Sequence, residues 1–446
     1  MYVGTRPREG ESGASPPEDW GSGFSRQARG GRAEVLLRAY LKLLERKGLL
    51  IKYEKPVSTA LEIASILRSN DGKPILFERV KGHSMPVVGN LYSSPELLSL
   101  ALGIPRSRLR EQLLKAISHP VEPRVRKTKA YEEIKADLFK LPIPVHHKLD
   151  AGPYITSAVV VASHEHLRTN ASYHRCLVLD RERIVMRIAP RHLNRLLEEG
   201  VKEVAICIGV PPSVALSAAV SVELGKSELA IANALRRTDL VELDGMKVPP
   251  SEIVMLAEFM GQRHEEGPFL DLLGLMDKVR QERVFRIKKI FVKEDPIYQT
   301  ILPGGKEHAL LMGFPREAII YEEVRKVCNC LEVKLTPGGR NWLHCLIKIK
   351  KKSPEDPGNA ILTAFRVHPS LKHVWVVDED IDINNPEEVE WAMATRFQGK
   401  TGMIMREELG SSLDPSAEDR LTTKVGFDLT IPAGKKVESF LRPPLT

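Results

Sequence analysis

Several things are scarce in this chain, and each scarcity excludes something. No run of about 18 apolar residues occurs, so no helix is expected to span a bilayer. The most apolar stretches, "ITSAVVVAS" from Ile155 and "VWVVDEDIDI" from Val374, are short and β-branched and read as buried strands. Cysteine is rare: Cys176, Cys207, Cys328, Cys330 and Cys345 are scattered and odd in number. That usage argues against a disulfide framework and for a reducing, cytoplasmic setting. Cys328 and Cys330 sit in an apolar periodic stretch and are expected as core thiols rather than metal ligands. The N-terminus lacks the apolar segment of a secretory signal. Aromatic residues make up only 6% of the chain, too few for base-stacking platforms. The net charge of +8 is spread among acids, and the one dense basic run is "IKIKKK", Ile347 to Lys352. It reads as a strand reaching a solvated edge. Neither a nucleic-acid partner nor a membrane is expected, and the cationic balance suits acidic small molecules.

At 446 residues the chain is too long for one ordinary core, and 42% hydrophobic content is that of a globular protein. Residues 1–32 are rich in Gly, Ser, Arg and Pro without periodicity and read as a disordered tail. "AEVLLRAYLKLLERKG" from Ala33 is an amphipathic helix stopped at Gly48. "PELLSLALG" opens another with Pro95 at its start. Together with the strands near 74–80 and 86–94, residues 33–118 read as a small α/β domain. Strands dominate 119–320, with Asp180–Arg183 expected as a hairpin connection. Residues 321–446 begin with the helix "REAIIYEEVRKV" and read as a second α/β domain with a surface-wrapping tail. The fold class is therefore multi-domain α/β.

Three stretches hold residues suited to one site. In "NASYHR", Asn170 offers an amide oxygen, His174 an imidazole and Arg175 a planar cation. In "RIAPRHLNR", Arg187, Arg191 and His192 gather at a helix start, where free N–H groups suit a phosphate. "GKSE" places Glu228 at the opening of the next helix, with Ser227 as its cap. Asn and Glu are hard oxygen donors suited to Mn2+ or Mg2+. Finally "HEEGPFLD" gathers Glu265, Glu266 and Asp271 around a Gly-Pro bend. Carboxylates held close need a cation or proton chemistry, and Arg175 is the natural neutraliser. One acid beside the arginine stays ionised while another can hold a proton for delivery.

The order of "NLYSS", "NASYHR", "APRHLNR", "GVPP", "GKSE", "EEGPFLD", "VVDEDIDI" and "WAMATR" resembles the UbiD family of reversible decarboxylases over most of the chain. The resemblance implies a central split β-barrel that binds prenylated FMN, flanked by α/β segments. By the same resemblance Asn170 and Glu228 match ligands of the divalent ion that clamps the cofactor phosphate, and His192 a third ligand of some members. Tyr173, His174, Arg175 and Arg187, Ile188, Ala189, together with His192, match cofactor-contacting segments. K+ accompanies the divalent ion in the family, although some members have an aromatic where Ala171 stands here. Glu266, Arg175 and Asp271 match an acid–arginine–acid network, with Asp271 as proton donor and catalytic acid. A separate flavin prenyltransferase supplying the cofactor, and a homo-oligomer, are implied as well. "SYHR", "TILPGGKEHALLMGFPRE" and "TKVGFDLT" look most like the archaeal branch that converts trans-anhydromevalonate 5-phosphate to isopentenyl phosphate and CO2. Lys306, His308 and Arg316 would then be the cations for the substrate phosphate. An aromatic acid of the hydroxybenzoate type is the alternative substrate within the family.

Overall fold

A computed structural model describes residues 36–440. The tail expected over 1–32 lies outside the described residues. The first helix, Leu37–Arg46, buries Leu37, Tyr40, Leu41, Leu43 and Leu44 along one stripe. It stops at Gly48, whose φ of +68° is the left-handed conformation glycine adopts freely. Pro95–Leu102 is capped by Ser94, whose side chain accepts from Leu97 N, and closed by Gly103 in the left-handed region.

A nine-stranded sheet forms the centre of the molecule. Its path runs Tyr154–Ile155, Cys176–Val178, Arg183–Met186, Arg280–Val292, Ile253–Glu266, Glu203–Ile208, Val159–His164, Arg168–Tyr173, with Glu132–Ile134 added on Arg280–Val292. Neighbours pair antiparallel. Cys176–Val178 and Arg183–Met186 flank the expected hairpin connection. The two longest strands slip register between Leu256 and Ala257 and between Phe259 and Arg263. Bulges of this kind bend a strand and increase its twist, so the sheet coils. Its path is linear, with no closure among the described residues.

The small first sheet is not contiguous in sequence. Ile51–Tyr53, Ile75–Phe77 and Val87–Gly89 are completed by Tyr298–Gln299, which pairs parallel with Val87–Gly89. Apolar residues of the first helix and of the central strands share one core. The C-terminal five-stranded sheet runs Cys330–Leu335, His344–Ile349, His373–Val377, Leu421–Asp428, Met403–Leu409.

Three expectations change here. "IKIKKK" begins in His344–Ile349, which is an interior strand with partners on both sides and not an edge. "VWVVDEDIDI" stops being a strand at Val377. Asp378, half-buried, and Asp380, exposed, both pair with the fully buried Arg396, at 3.1 and 2.5 Å. The helix expected from Arg316 starts at Lys306 and runs to Val324, with Pro315 inside it. It therefore crosses position 320. Gly313 lets it approach the next loop closely: a Cβ there would lie 2.7 Å from Asn341. Four cysteines are buried, Cys328 is half-buried, and all five are free thiols. No helix of the described residues is long and apolar enough to cross a membrane.

Candidate active site

The bend in "HEEGPFLD" separates its acids. Glu265 is exposed, while Glu266, the last residue of its strand, is fully buried. Gly267 takes φ +103°, and a Cβ there would press on Lys278 O at 3.1 Å, so the turn requires glycine. Arg175 follows the strand Arg168–Tyr173 and meets Glu266 in a fork. Its Nε donates to Oε1 and its Nη2 to Oε2, both at 2.8 Å. Tyr154 Oη donates to Oε1 at 3.1 Å. The guanidinium also lies over the Phe269 ring, 4.7 Å from its centroid. A two-pronged, nearly dry pair of this kind is geometrically specific.

The second acid of Arg175 is not the expected one. Arg175 Nη2 donates to Asp277 Oδ2 at 2.9 Å, and no bond joins Arg175 to Asp271. The reason is register: Phe269–Leu270 pairs with Met276–Asp277, setting Asp277 opposite Phe269. Asp271 opens the loop of this hairpin. Its Oδ1 accepts from Leu273 N at 2.8 Å and Leu275 N at 3.3 Å. Burial pushes its carboxyl up; the loop N–H bonds oppose this, Asp277 adds to it and Arg175 opposes it. The net direction is upward from the ordinary carboxylate value. Asp277 is also pushed up by burial, but Arg280 and Arg175 outweigh this and hold it below the usual range. Asp277 and Tyr154 were missed in the sequence because only the hairpin register and the sheet order place them here.

A second cluster surrounds Glu228, buried at the first position of its helix with Ser227 as cap. Asn170 Nδ2 donates to Glu228 Oε1 at 3.0 Å, and Ala171 N to Oε2 at 2.9 Å. His192 Nδ1 lies 3.9 Å from Oε1, and its Nε2 is buried without a partner. An orphaned imidazole nitrogen beside an acid and an amide suits a hard divalent ion. Among the described residues no cluster of three or more His, Cys, Asp or Glu is placed to hold a metal. A metal here would therefore draw on the Asn170 amide and on oxygens from a bound ligand.

Between the two clusters His174 Nδ1 bonds the Arg187 carbonyl at 3.0 Å, and its Nε2 meets Ser172 Oγ at 2.9 Å. Burial pushes His174 down to about 4, so the ring is neutral at pH 7. Arg187 Nη1 donates to Glu282 at 2.6 Å, fixing the Arg187–Ile188–Ala189 segment. Tyr173 is half-buried, and burial pushes its phenol far up.

Beyond this, Arg191 and Arg316 converge on one hydroxyl, Ser221 Oγ. No ion pair to a carboxylate is formed by either among the described residues. Burial and then Arg191 push Arg316 down to about 10, and burial with Arg420 lowers Arg191. Like charges gathered this way call for an anion. His308, half-buried, is pushed down to about 4 chiefly by burial and then by Arg175. Lys306 is separated from them. It lines a cavity of about 1410 Å³ with Arg106, Arg110 and Arg340, a space that Arg175, Glu266 and Asp271 do not line.

Comparison with known proteins places the chain in a family. Three 3-octaprenyl-4-hydroxybenzoate carboxy-lyase (UbiD) profiles match in order: the N-terminal domain over 41–117, the Rift-related domain over 119–306 and the C-terminal domain over 309–429. The anhydromevalonate phosphate decarboxylase of Methanothermobacter thermautotrophicus is 38% identical, covering 91% of this chain and 99% of that one. The UbiD-class enzyme HmfF from Pelotomaculum thermopropionicum in complex with FMN superposes with a TM-score of 0.88 at 37% identity, over 92% of this chain and 97% of that one. An evolved dimeric form of that enzyme in complex with prFMN gives 0.84 at 35% identity, over 92% and 97%.

Proposed function

Because the chain belongs to the UbiD family of carboxy-lyases, we propose that it decarboxylates trans-anhydromevalonate 5-phosphate to isopentenyl phosphate, using prenylated FMN. The observation that carries the reading is the buried Glu266–Arg175 fork beside a raised Asp271. Bound prenylated FMN supplies the sink for the electron pair that departing CO2 leaves behind. The chain's own residues bind, orient and move the proton. Arg175, fixed by Glu266, orients the substrate. Asp271 delivers its proton to the carbon that lost CO2.

Cofactor contacts fall to Tyr173, His174, Arg175, the segment Arg187–Ile188–Ala189 and His192. His174, held neutral, is fixed in orientation by bonds from both ring nitrogens, to the Arg187 carbonyl and to Ser172 Oγ. Asn170, Glu228 and His192 would hold Mn2+ or Mg2+ at the cofactor phosphate, supported by the partnerless His192 Nε2. K+ stands as a second ion of that site. The substrate phosphate is assigned to Arg316, with Arg191 beside it. Two guanidiniums without a carboxylate favour this dianion over an aromatic acid, which would want an apolar wall. We read the coiled nine-stranded sheet as the split barrel of a central domain over 119–320, between segments 33–118 and 321–446. A homo-oligomer and a cofactor-supplying flavin prenyltransferase complete the reading.

The test is to load the enzyme with prenylated FMN and Mn2+. It is then given the phosphorylated acid, its dephosphorylated form and 3,4-dihydroxybenzoate in turn. Isopentenyl phosphate and CO2 from the first alone are expected. Turnover of the aromatic acid alone would overturn the assignment.

A further inference from the structure

Arg175 is shared between two acids, and one of them has no role so far. Glu266 takes the Nε edge and one proton of Nη2, and Asp277 takes the other. Asp277 is itself fixed from two sides. Arg280 Nη2 donates to its Oδ1 at 2.8 Å, and Arg280 Nη1 lies 2.7 Å from its Oδ2. Lys278 N donates to Oδ1 at 2.9 Å. Asp277 and Asp271 belong to the two limbs of one hairpin, so the same short element carries both carboxyls. Asp271 spends only Oδ1 on its loop, which leaves Oδ2 as the oxygen for a proton.

From this arrangement we propose that Asp277 is a positioning residue: it holds the Arg175 guanidinium away from Asp271 and so preserves the proton that Asp271 delivers. The inference rests on reading Asp271 as the proton donor. An arginine free to pair with Asp271 would hold that carboxyl ionised and empty of its proton. With Asp277 bound to it, the guanidinium is committed before Asp271 is reached. The negative charge of Asp277 acts in the same direction, making a second charge on Asp271 costlier. Asp277→Asn removes the charge while its amide oxygen can still accept from Arg175, and Asp277→Ser removes the charge and the reach together. Other groups facing this hairpin are Tyr154 and Glu266 through Arg175, Asp150 through Leu270 N at 3.0 Å, Arg280, and His308 beside Arg175. Arg340 reaches Gly304 O and the Gly274 side of the loop. Arg280 is already bonded to Asp277, His308 is held neutral by burial, Glu266 already holds the Nε edge, and none of these groups takes the place of Asp277 on Arg175.

The variants are Asp277→Asn, the smaller Asp277→Ser, and Asp277→Glu as the charge-preserving rescue. Each is loaded with prenylated FMN and Mn2+, and kcat and KM are followed against pH. Asp271 acts when protonated, so activity falls as pH rises through its pKa. In both neutral variants that alkaline limb should move down by about one to two pH units, the scale of a charge a few ångströms away in a partly buried site. kcat should fall more than KM rises, and Asp277→Glu should restore the limb. Infrared titration of the Asp271 carboxyl, taken as the difference against Asp271→Asn in enzyme without flavin, should show the same shift independently of turnover. A limb and a carboxyl titration that stay in place while kcat drops evenly across pH would overturn the proposal. If Asp271→Asn is itself fully active, the donor reading falls and takes this inference with it. An inactive Asp271→Asn with an unmoved limb refutes this inference alone.

Discussion

Replacing Asp271 separates its two duties, because they use different atoms. Its Oδ1 accepts from Leu273 N and Leu275 N and shapes the loop. Its proton serves the reaction. Asparagine keeps an acceptor oxygen of the same reach but carries no acid. Asp271→Asn should therefore fold with stability within about 0.5 kcal/mol of the parent, as for a substitution that leaves its contacts in place. Turnover should drop by about 10² to 10⁴, the usual contribution of a positioned general acid. Alanine removes both duties. Two part-buried loop N–H groups, one on the exposed Leu275, would lose their acceptor, at up to roughly 1–3 kcal/mol for one that water does not reach. Thermal melting of the two variants, alongside single-turnover decarboxylation, distinguishes the duties. Equal melting losses in Asn and Ala, or near-full turnover in Asn, would refute the reasoning.

Two further outcomes follow from the surrounding side chains. Glu307 is fully buried, with Oε1 accepting from Tyr92 N and Oε2 without a partner, and burial pushes it from 4.5 up to about 8. A raised acid stabilises the fold fully below 4.5 and loses that contribution as pH rises toward 8, so Glu307→Gln should gain on the parent across that window. Melting curves that stay parallel from pH 4.5 to 8 would contradict it. Arg316→Leu should raise KM for the phosphorylated acid about tenfold to a hundredfold, the loss of one charge-assisted bond to phosphate, while kcat changes less. An unchanged KM would remove Arg316 from the phosphate contact.

Local signals in the sequence were readable where one residue decides the structure. Ser94 and Ser227 cap their helices, Gly48 ends one, and Asp180–Arg183 joins two strands, each as its own chemistry dictates. The motif residues Glu266 and Arg175 meet as expected, although they lie 91 positions apart, and Asn170 reaches Glu228. Legibility ended where register and packing decide. The family resemblance gave Arg175 Glu266 and Asp271 as its two acids, but the hairpin register brings Asp277 to it instead. The helix expected as "REAIIYEEVRKV" starts ten residues earlier at Lys306 and runs through Pro315, and Gly313 is where it packs against Asn341. Lysines in "IKIKKK" suggested an edge, yet partners on both sides make the strand interior. Arg191 and Arg316 are 125 residues apart, and only the fold brings them to Ser221.

The central claim is that Asp271 hands its proton to the carbon that loses CO2. Running the loaded enzyme on trans-anhydromevalonate 5-phosphate in D2O tests it most directly, with Asp271→Asn in parallel. The account predicts one deuterium on the terminal alkene carbon of isopentenyl phosphate, formed rapidly by the parent and lost with turnover in the variant. Labelled product forming at an undiminished rate in Asp271→Asn would contradict it.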